Sequence, residues 1–197
     1  MGVSSVISAS LKEHQDVIAI IAESMQGRID EFAKRLSKTL QSGGKLLVCG
    51  NGGSAADAQH FSAELVGRFE TERRGLAAIS LTTDTSCLSA IGNDYGFDQI
   101  YARQGEALAT ASDLLLGIST SGNSSNVLHA MLKAKEIGCQ VLALTGKTGG
   151  TIAQEADLAL IIPAERTARI QEAHATILHI LCELIEANLA EKTGTTD

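Results

Sequence analysis

His60 and Glu64 stand four residues apart in the segment Gln59-His60-Phe61-Ser62-Ala63-Glu64. On a helix that spacing puts both side chains on one face. An imidazole beside a carboxylate can ligate a divalent cation or move protons. The same spacing also suits a polar pair facing solvent. A second candidate group lies near the C-terminus, where Gln171, Ala175 and His179 form an i, i+4, i+8 line. His179 sits inside the apolar stretch Ile177-Leu178-His179-Ile180-Leu181, where a core histidine is the plain alternative. His14 and His129 have no supporting pattern and read as surface residues.

Two further segments are rich in small polar residues: Gly50-Asn51-Gly52-Gly53-Ser54-Ala55-Ala56-Asp57 and Ser119-Thr120-Ser121-Gly122-Asn123-Ser124-Ser125-Asn126. Each follows a strand-like apolar run and precedes a helix-like one. Backbone N–H groups and the helix dipole can hold an anion at such a junction. The second segment places five hydroxyls within residues 119–125 and no Lys or Arg. Hydroxyl and amide donors can hold a phosphate monoester without a dedicated counter-charge. Turns and helix caps use the same residue types, but two such loops at one edge of a sheet favour a phosphorylated ligand. Neither loop matches a Walker A or G-x-G-x-x-G pattern, so a nucleotide is disfavoured.

The elements that must position these residues follow from periodicity. Short apolar runs recur at 45–49, 77–81, 114–118, 141–144 and 158–162. Without alternation they suit strands covered on both faces. Helical stretches at 54–69, 85–109 and 124–137 and a short one at 149–156 separate them. This alternation predicts an α/β sandwich of three layers around a five-stranded parallel sheet. Right-handed crossovers then bring all strand C-termini to one edge, where ligands bind. Residues 1–42 read as two helices broken near Gly27, for packing or oligomerisation. A long helix is expected over 167–191, and 193–197 reads as a flexible tail. A single domain, 1–197, accounts for the whole chain.

Composition narrows the function classes. The 197 residues carry 16 Lys plus Arg against 23 Asp plus Glu, a formal charge of −7. With no Trp, two Tyr, four Phe and no basic cluster, nucleic acid is an unexpected partner. No apolar stretch is long enough for a membrane span, and the N-terminus lacks the pattern of a signal peptide. Cys49, Cys87, Cys139 and Cys182 are widely spread and read as reduced thiols of a cytoplasmic protein.

The stretches CGNGGSAADAQHFSAEL (49–65), LTTDTSCLSAIGNDYGF (81–97), GISTSGNSSNV (117–127), LTGKTGG (144–150) and ARIQEAH (168–174), with His179, carry a resemblance. The chain resembles the sugar isomerase (SIS) domain family, and within it the phosphoheptose isomerases, over nearly its whole length. The STSGNS block alone marks only the wider phosphosugar-binding family; its combination with Glu64 and His179 is more specific. The resemblance implies an aldose–ketose isomerase acting on a seven-carbon sugar phosphate through an enediol, with Glu64 and His179 as the catalytic pair. It implies substrate contacts from Asn51, Gly52, Gly53, Glu64, Ser119, Thr120, Ser121, Ser124 and Gln171, and from Asn93 and Asp94 in a Gly-Asn-Asp-Tyr turn. Some members of the family bind a divalent metal, usually zinc, and the matching positions are His60, Glu64, Gln171 and His179. Gln is a weak zinc ligand, which implies loose binding. A homotetramer with active sites between subunits is also implied. Arg68, Arg169, Thr83, Asp84 and His174 receive no firm role. A rival reading is a non-catalytic relative of the same fold that binds the replication initiator; the presence of Glu64 and His179 favours the enzyme.

Overall fold

The continuous apolar runs are strands buried on both faces, and their residues alternate between two cores. The computed structural model describes residues 3–193, with side chains through residue 190. The strands are β1 (Leu46–Gly50), β2 (Ala78–Ser80), β3 (Leu114–Ser119), β4 (Gln140–Gly146) and β5 (Leu158–Ile162). They form one parallel sheet in the order β2-β1-β3-β4-β5, in register from Leu46 against both Ala78 and Leu114.

The helices are α1 (Val3–Ser24), α2 (Gln26–Gln41), α3 (Gly53–Val66), α4 (Thr85–Tyr95), α5 (Ala102–Leu108), α6 (Ser125–Ile137), α7 (Gly150–Glu155) and α8 (Thr167–Thr193). Leu46, Val48, Leu114, Leu116, Leu142 and Leu144 face a core shared with α1, α2, α3 and α8. Leu47, Cys49, Leu115, Val141 and Ala143 face a second core filled by Val127, Met131 and Ile152 of α6 and α7. A period of two with apolar residues on both faces produces the unbroken runs seen in the sequence. The result is the expected three-layer α/β/α sandwich.

Boundaries differ from the sequence reading in three places. The first helical region breaks at buried Met25, while Gly27 lies within α2 as ordinary helix. The stretch 85–109 is not one helix. Gly96, with φ of +86°, ends α4, a single 3₁₀ turn spans Phe97–Gln99, and α5 then begins afresh. Asn93 and Asp94 are therefore in the last turn of α4, exposed, rather than in a turn between elements. Thr193 ends α8, and the rest of the expected tail, 194–197, lies outside the described residues. Among the described residues no helix is long and apolar enough to cross a membrane.

Candidate active site

The chain leaves β1 toward β2 on one side and takes up β3 on the other. This reversal opens a crevice at the C-terminal ends of β1 and β3, the place where open α/β sheets bind ligands. The two polar loops are its walls. Asn51 and Asn126 join them, each donating its amide to the other at 2.8 Å. The Tyr101 hydroxyl donates to the Gly50 carbonyl at 2.6 Å from beneath.

The second wall is a hydroxyl cradle. Ser119 Oγ lies 2.9 Å from Ser124 Oγ and 3.4 Å from Ser121 Oγ, at the N-terminus of α6. Gly122 makes the loop possible. Its φ is +69°, and a Cβ there would stand 2.0 Å from the Gly149 carbonyl oxygen. The Gly122 carbonyl in turn accepts from the Ile152 amide at 2.9 Å, and Asn123 Oδ1 accepts from the Thr151 amide at 3.1 Å. The loop after β4 thus braces the cradle. At the first wall, Gln171 of α8 lies against Gly53. A Cβ on that glycine would meet the Gln171 amide nitrogen at 1.9 Å. Asn51, Gly52, Gly53, Gln171, Ser119, Thr120, Ser121 and Ser124 are all carried by this edge.

A second group gathers further down α3. His60 Nε2 lies 3.0 Å from Glu64 Oε1. The His179 ring meets the His60 ring edge-on, with centroids 5.0 Å apart, and stacks on Phe69 at 5.6 Å. Glu64, His60 and His179 are therefore together. They stand well down the helix from the Gly53 wall, because Glu64 follows Gly53 by eleven residues, roughly 16 Å along α3 at about 1.5 Å per residue. Gln171 stays at the other end, two turns of α3 before His60. Among the described residues no group of three or more His, Cys, Asp and Glu side chains stands ready to hold a metal ion. Asn93 and Asp94 join neither group; the Asn93 amide donates to Asp94 Oδ1 at 2.8 Å.

The residues left without a role now have partners. Arg169 donates to the Ser10 carbonyl and, at 2.5 Å, to Glu172, so it ties α8 to α1. Arg68 faces Glu72 at 3.8 Å, and Asp84 caps α4 by accepting from the Cys87 amide at 2.9 Å. Thr83 donates to the Ser80 carbonyl. His14 is half-buried against Glu172 at 2.8 Å, and His129 faces the Asp98 carbonyl. His174 is fully buried. Its Nε2 must carry the proton to bond the Thr145 carbonyl at 3.0 Å, and burial pushes its pKa down to about 4. Asp57, one turn before His60, has its Oδ2 buried with no partner among the described residues. Burial pushes its pKa up to about 6, against the pull of His60.

Sequence reasoning passed over Asn126, Tyr101, Phe69, Arg73 and Glu186. Only Asn126 carried a signal, since it shares the cradle segment. The others act through tertiary contacts with no local pattern. A cavity of about 890 Å³ is lined by Gln41, Glu70, Arg73, Leu76, Glu183 and Glu186, among others. It borders the connection that follows α3, and none of the cradle residues line it.

Comparison with known proteins adds to this geometry. The SIS domain family model matches residues 11–146. A phosphoheptose isomerase from Geobacter sulfurreducens is 56% identical over 183 residues, covering 93% of this chain and 97% of that protein. One from Aliarcobacter butzleri is 53% identical over 186 residues, covering 93% and 98%. The solved structure of a phosphoheptose isomerase from Neisseria gonorrhoeae superposes with a TM-score of 0.90 at 44% identity, covering 94% of this chain and all of that one.

Proposed function

This chain belongs to the SIS domain family, among its phosphoheptose isomerases, and on that premise we propose that it converts D-sedoheptulose 7-phosphate to D-glycero-D-manno-heptose 7-phosphate, the first step toward ADP-heptose for the lipopolysaccharide core. The observation that carries the reading is the pairing of a hydroxyl cradle with a separate carboxylate–imidazole group. The protein is an aldose–ketose isomerase.

The cradle of Ser119, Thr120, Ser121 and Ser124 takes the 7-phosphate, its hydroxyls and the α6 N-terminus replacing the water that solvates the anion. Asn51, Gly52, Gly53 and Gln171 line the path of the sugar. Glu64 removes a proton from C1 of the ketose, and the electron pair forms the enediol. The same carboxylic acid returns the proton to C2, giving the aldose. His179 moves the proton that leaves O1 and the one that arrives on O2. His60 holds the Glu64 carboxylate in one orientation through its 3.0 Å contact.

The separation of the two groups along α3 supports active sites shared between subunits, and so a homotetramer. The exposed apolar residues Val3, Val6, Ile7 and Leu11 of α1 support the same assembly. We further propose a zinc ion at His60, Glu64, Gln171 and His179, side chains that would have to draw closer together than they stand here to ligate it. Two imidazoles and a carboxylate are suitable donors, and Gln171 joins them only where subunits meet. When bound, the metal polarises the substrate oxygens. The acidic, reduced-thiol chain and its phosphorylated substrate support a place in the cytoplasm.

The experiment is a ketose-to-aldose assay with sedoheptulose 7-phosphate, with and without a chelator. Turnover that falls by about 10²-fold or more in a folded Glu64→Gln protein is expected. Near-normal turnover in that variant would sink the reading, and indifference to the chelator would sink the metal.

A further inference from the structure

Phe69 and Arg73 belong to the connection between α3 and β2, and each touches one half of the proposed catalytic pair. The Phe69 ring stacks on the His179 imidazole with an interplanar angle of 29°. Arg73 donates to the backbone of the helix that bears Glu64. Its Nη2 bonds the Glu64 carbonyl at 2.8 Å and its Nη1 the Leu65 carbonyl at 2.9 Å. Those carbonyls end α3 without helical partners, and a cation there suits the helix dipole.

Both residues are held by one carboxylate. Glu186 is buried on α8, two turns beyond His179 and on the same face. Its Oε1 accepts from the Phe69 amide at 3.0 Å and from Arg73 Nε at 2.9 Å. Its Oε2 accepts from the amides of Glu70 and Thr71 at 3.2 and 2.9 Å, and from Thr71 Oγ1 at 2.8 Å. Burial pushes this carboxyl up, and the bonds from Thr71, Phe69 and Glu70 pull it further down, to about 2, so it is ionised at any working pH. The cavity of about 890 Å³ lies against the same connection. Five hydrogen bonds from this connection thus converge on the one carboxylate.

We propose that Glu186 is a positioning residue for the catalytic pair: by gathering residues 69–73 it sets Phe69 against His179 and Arg73 against the end of α3 at Glu64. α8 thus supplies both His179 and the anchor of the loop that covers it. The proposal rests on the isomerase reading for its consequence in rate, but its geometric content is independent of the reaction.

The test measures two things on Glu186→Gln, Phe69→Leu, Phe69→Tyr and Arg73→Lys, each checked for folding by circular dichroism. The first is the His179 imidazole proton resonance, assigned by its loss in His179→Gln. The stacked ring shifts that resonance, so Phe69→Leu should displace it, Phe69→Tyr should restore it, and Glu186→Gln should displace it in the same direction as Phe69→Leu. The second is the kcat and KM split with sedoheptulose 7-phosphate. Misplacement of the pair lowers kcat by about tenfold or more in Glu186→Gln and Phe69→Leu, with KM within about twofold and Phe69→Tyr near the parent. A His179 resonance unmoved in Glu186→Gln overturns the proposal, as does a loss that falls on KM alone. If Glu186→Gln does not fold, Arg73→Lys decides. That change keeps the charge but loses the fork, and an unmoved resonance there overturns the proposal equally. Failure of the wild-type protein to turn over the sugar would reject the isomerase reading while the resonance still decides the positioning role.

Discussion

Asn51 and Asn126 exchange two amide hydrogen bonds, each 2.8 Å long, across the crevice between the β1 and β3 loops. Each amide donates one N–H to the other's oxygen and accepts one in return, a pairing that needs a donor and an acceptor on both side chains. The pair sets the distance between the wall proposed to line the sugar and the wall proposed to hold the phosphate.

Replacing Asn126 by Ala removes both bonds and strands the amide of Asn51 in a half-buried site. A loss of about 1–3 kcal/mol in stability is expected. The walls then drift, and KM for the sugar phosphate rises by about tenfold, equivalent to about 1.4 kcal/mol. Asn126→Asp keeps the shape but turns an acceptor toward the Asn51 oxygen, so it should be no milder. Thermal melting and steady-state kinetics check both. An unaltered KM in Asn126→Ala would mean that the cradle holds its place alone.

Ser119 and Ser124 should act as a unit. Their hydroxyls are 2.9 Å apart, and either Ala substitution removes this contact, leaving Ser119 only its longer one to Ser121 at 3.4 Å. Each single change is expected to raise KM by about tenfold and to leave kcat within a few-fold, because the phosphate is remote from the reacting carbons. The double variant should cost less than the sum of the two. Inhibition by inorganic phosphate offers a second reading, and it should weaken in parallel. A loss confined to kcat would place these hydroxyls at the chemistry instead.

The architecture was legible because unbroken apolar runs such as Leu46–Cys49 and Leu114–Ile118 reflect burial on two faces, a local property of the sequence. The cradle was legible for a similar reason, since its hydroxyls fall within one short segment, 119–124. The His60–Glu64 contact followed from helical spacing. What had no local trace was the pairing of elements far apart in the chain. Glu186 meets Phe69 across 117 positions and reads in the sequence as one more charge on a helix. Arg169 looked equally suited to a phosphate, and only the packing of α1 shows that it bonds Ser10. Gly96 lies in a helical pattern whose break depends on a positive φ that periodicity does not register.

Gly53 and Gly122 separate two kinds of crowding. A Cβ at Gly122 meets backbone, the Gly149 carbonyl at 2.0 Å, at a φ of +69°. Gly122→Ala should therefore deform the cradle, with at least about 1–3 kcal/mol of backbone strain and a large rise in KM. A Cβ at Gly53 meets only the end of the Gln171 side chain. Gly53→Ala should fold with nearly the parent melting temperature while displacing Gln171, and its kinetics should match those of Gln171→Ala. A Gly53→Ala protein that melts as early as Gly122→Ala would refute this distinction.

His174 sets a stability slope of known sign. Its folded pKa of about 4 lies below the ordinary value of 6.5, because burial disfavours the charged ring. Between those values the unfolded chain takes up a proton that the folded chain refuses. Its contribution is thus complete above pH 6.5 and is lost as pH falls toward 4, by roughly 3 kcal/mol in all. Asp57 works the other way. Its pKa is raised from 3.8 to about 6, so protonation favours the folded state as pH falls through that range. The two partly cancel in the wild-type protein, and single variants expose each. His174→Gln, whose amide can still donate to Thr145, should lose less stability than the parent between pH 7 and pH 5. Asp57→Asn should lose more. Denaturant midpoints across that interval measure both slopes, and parallel curves for parent and His174→Gln would show that burial does not lower the pKa of this ring.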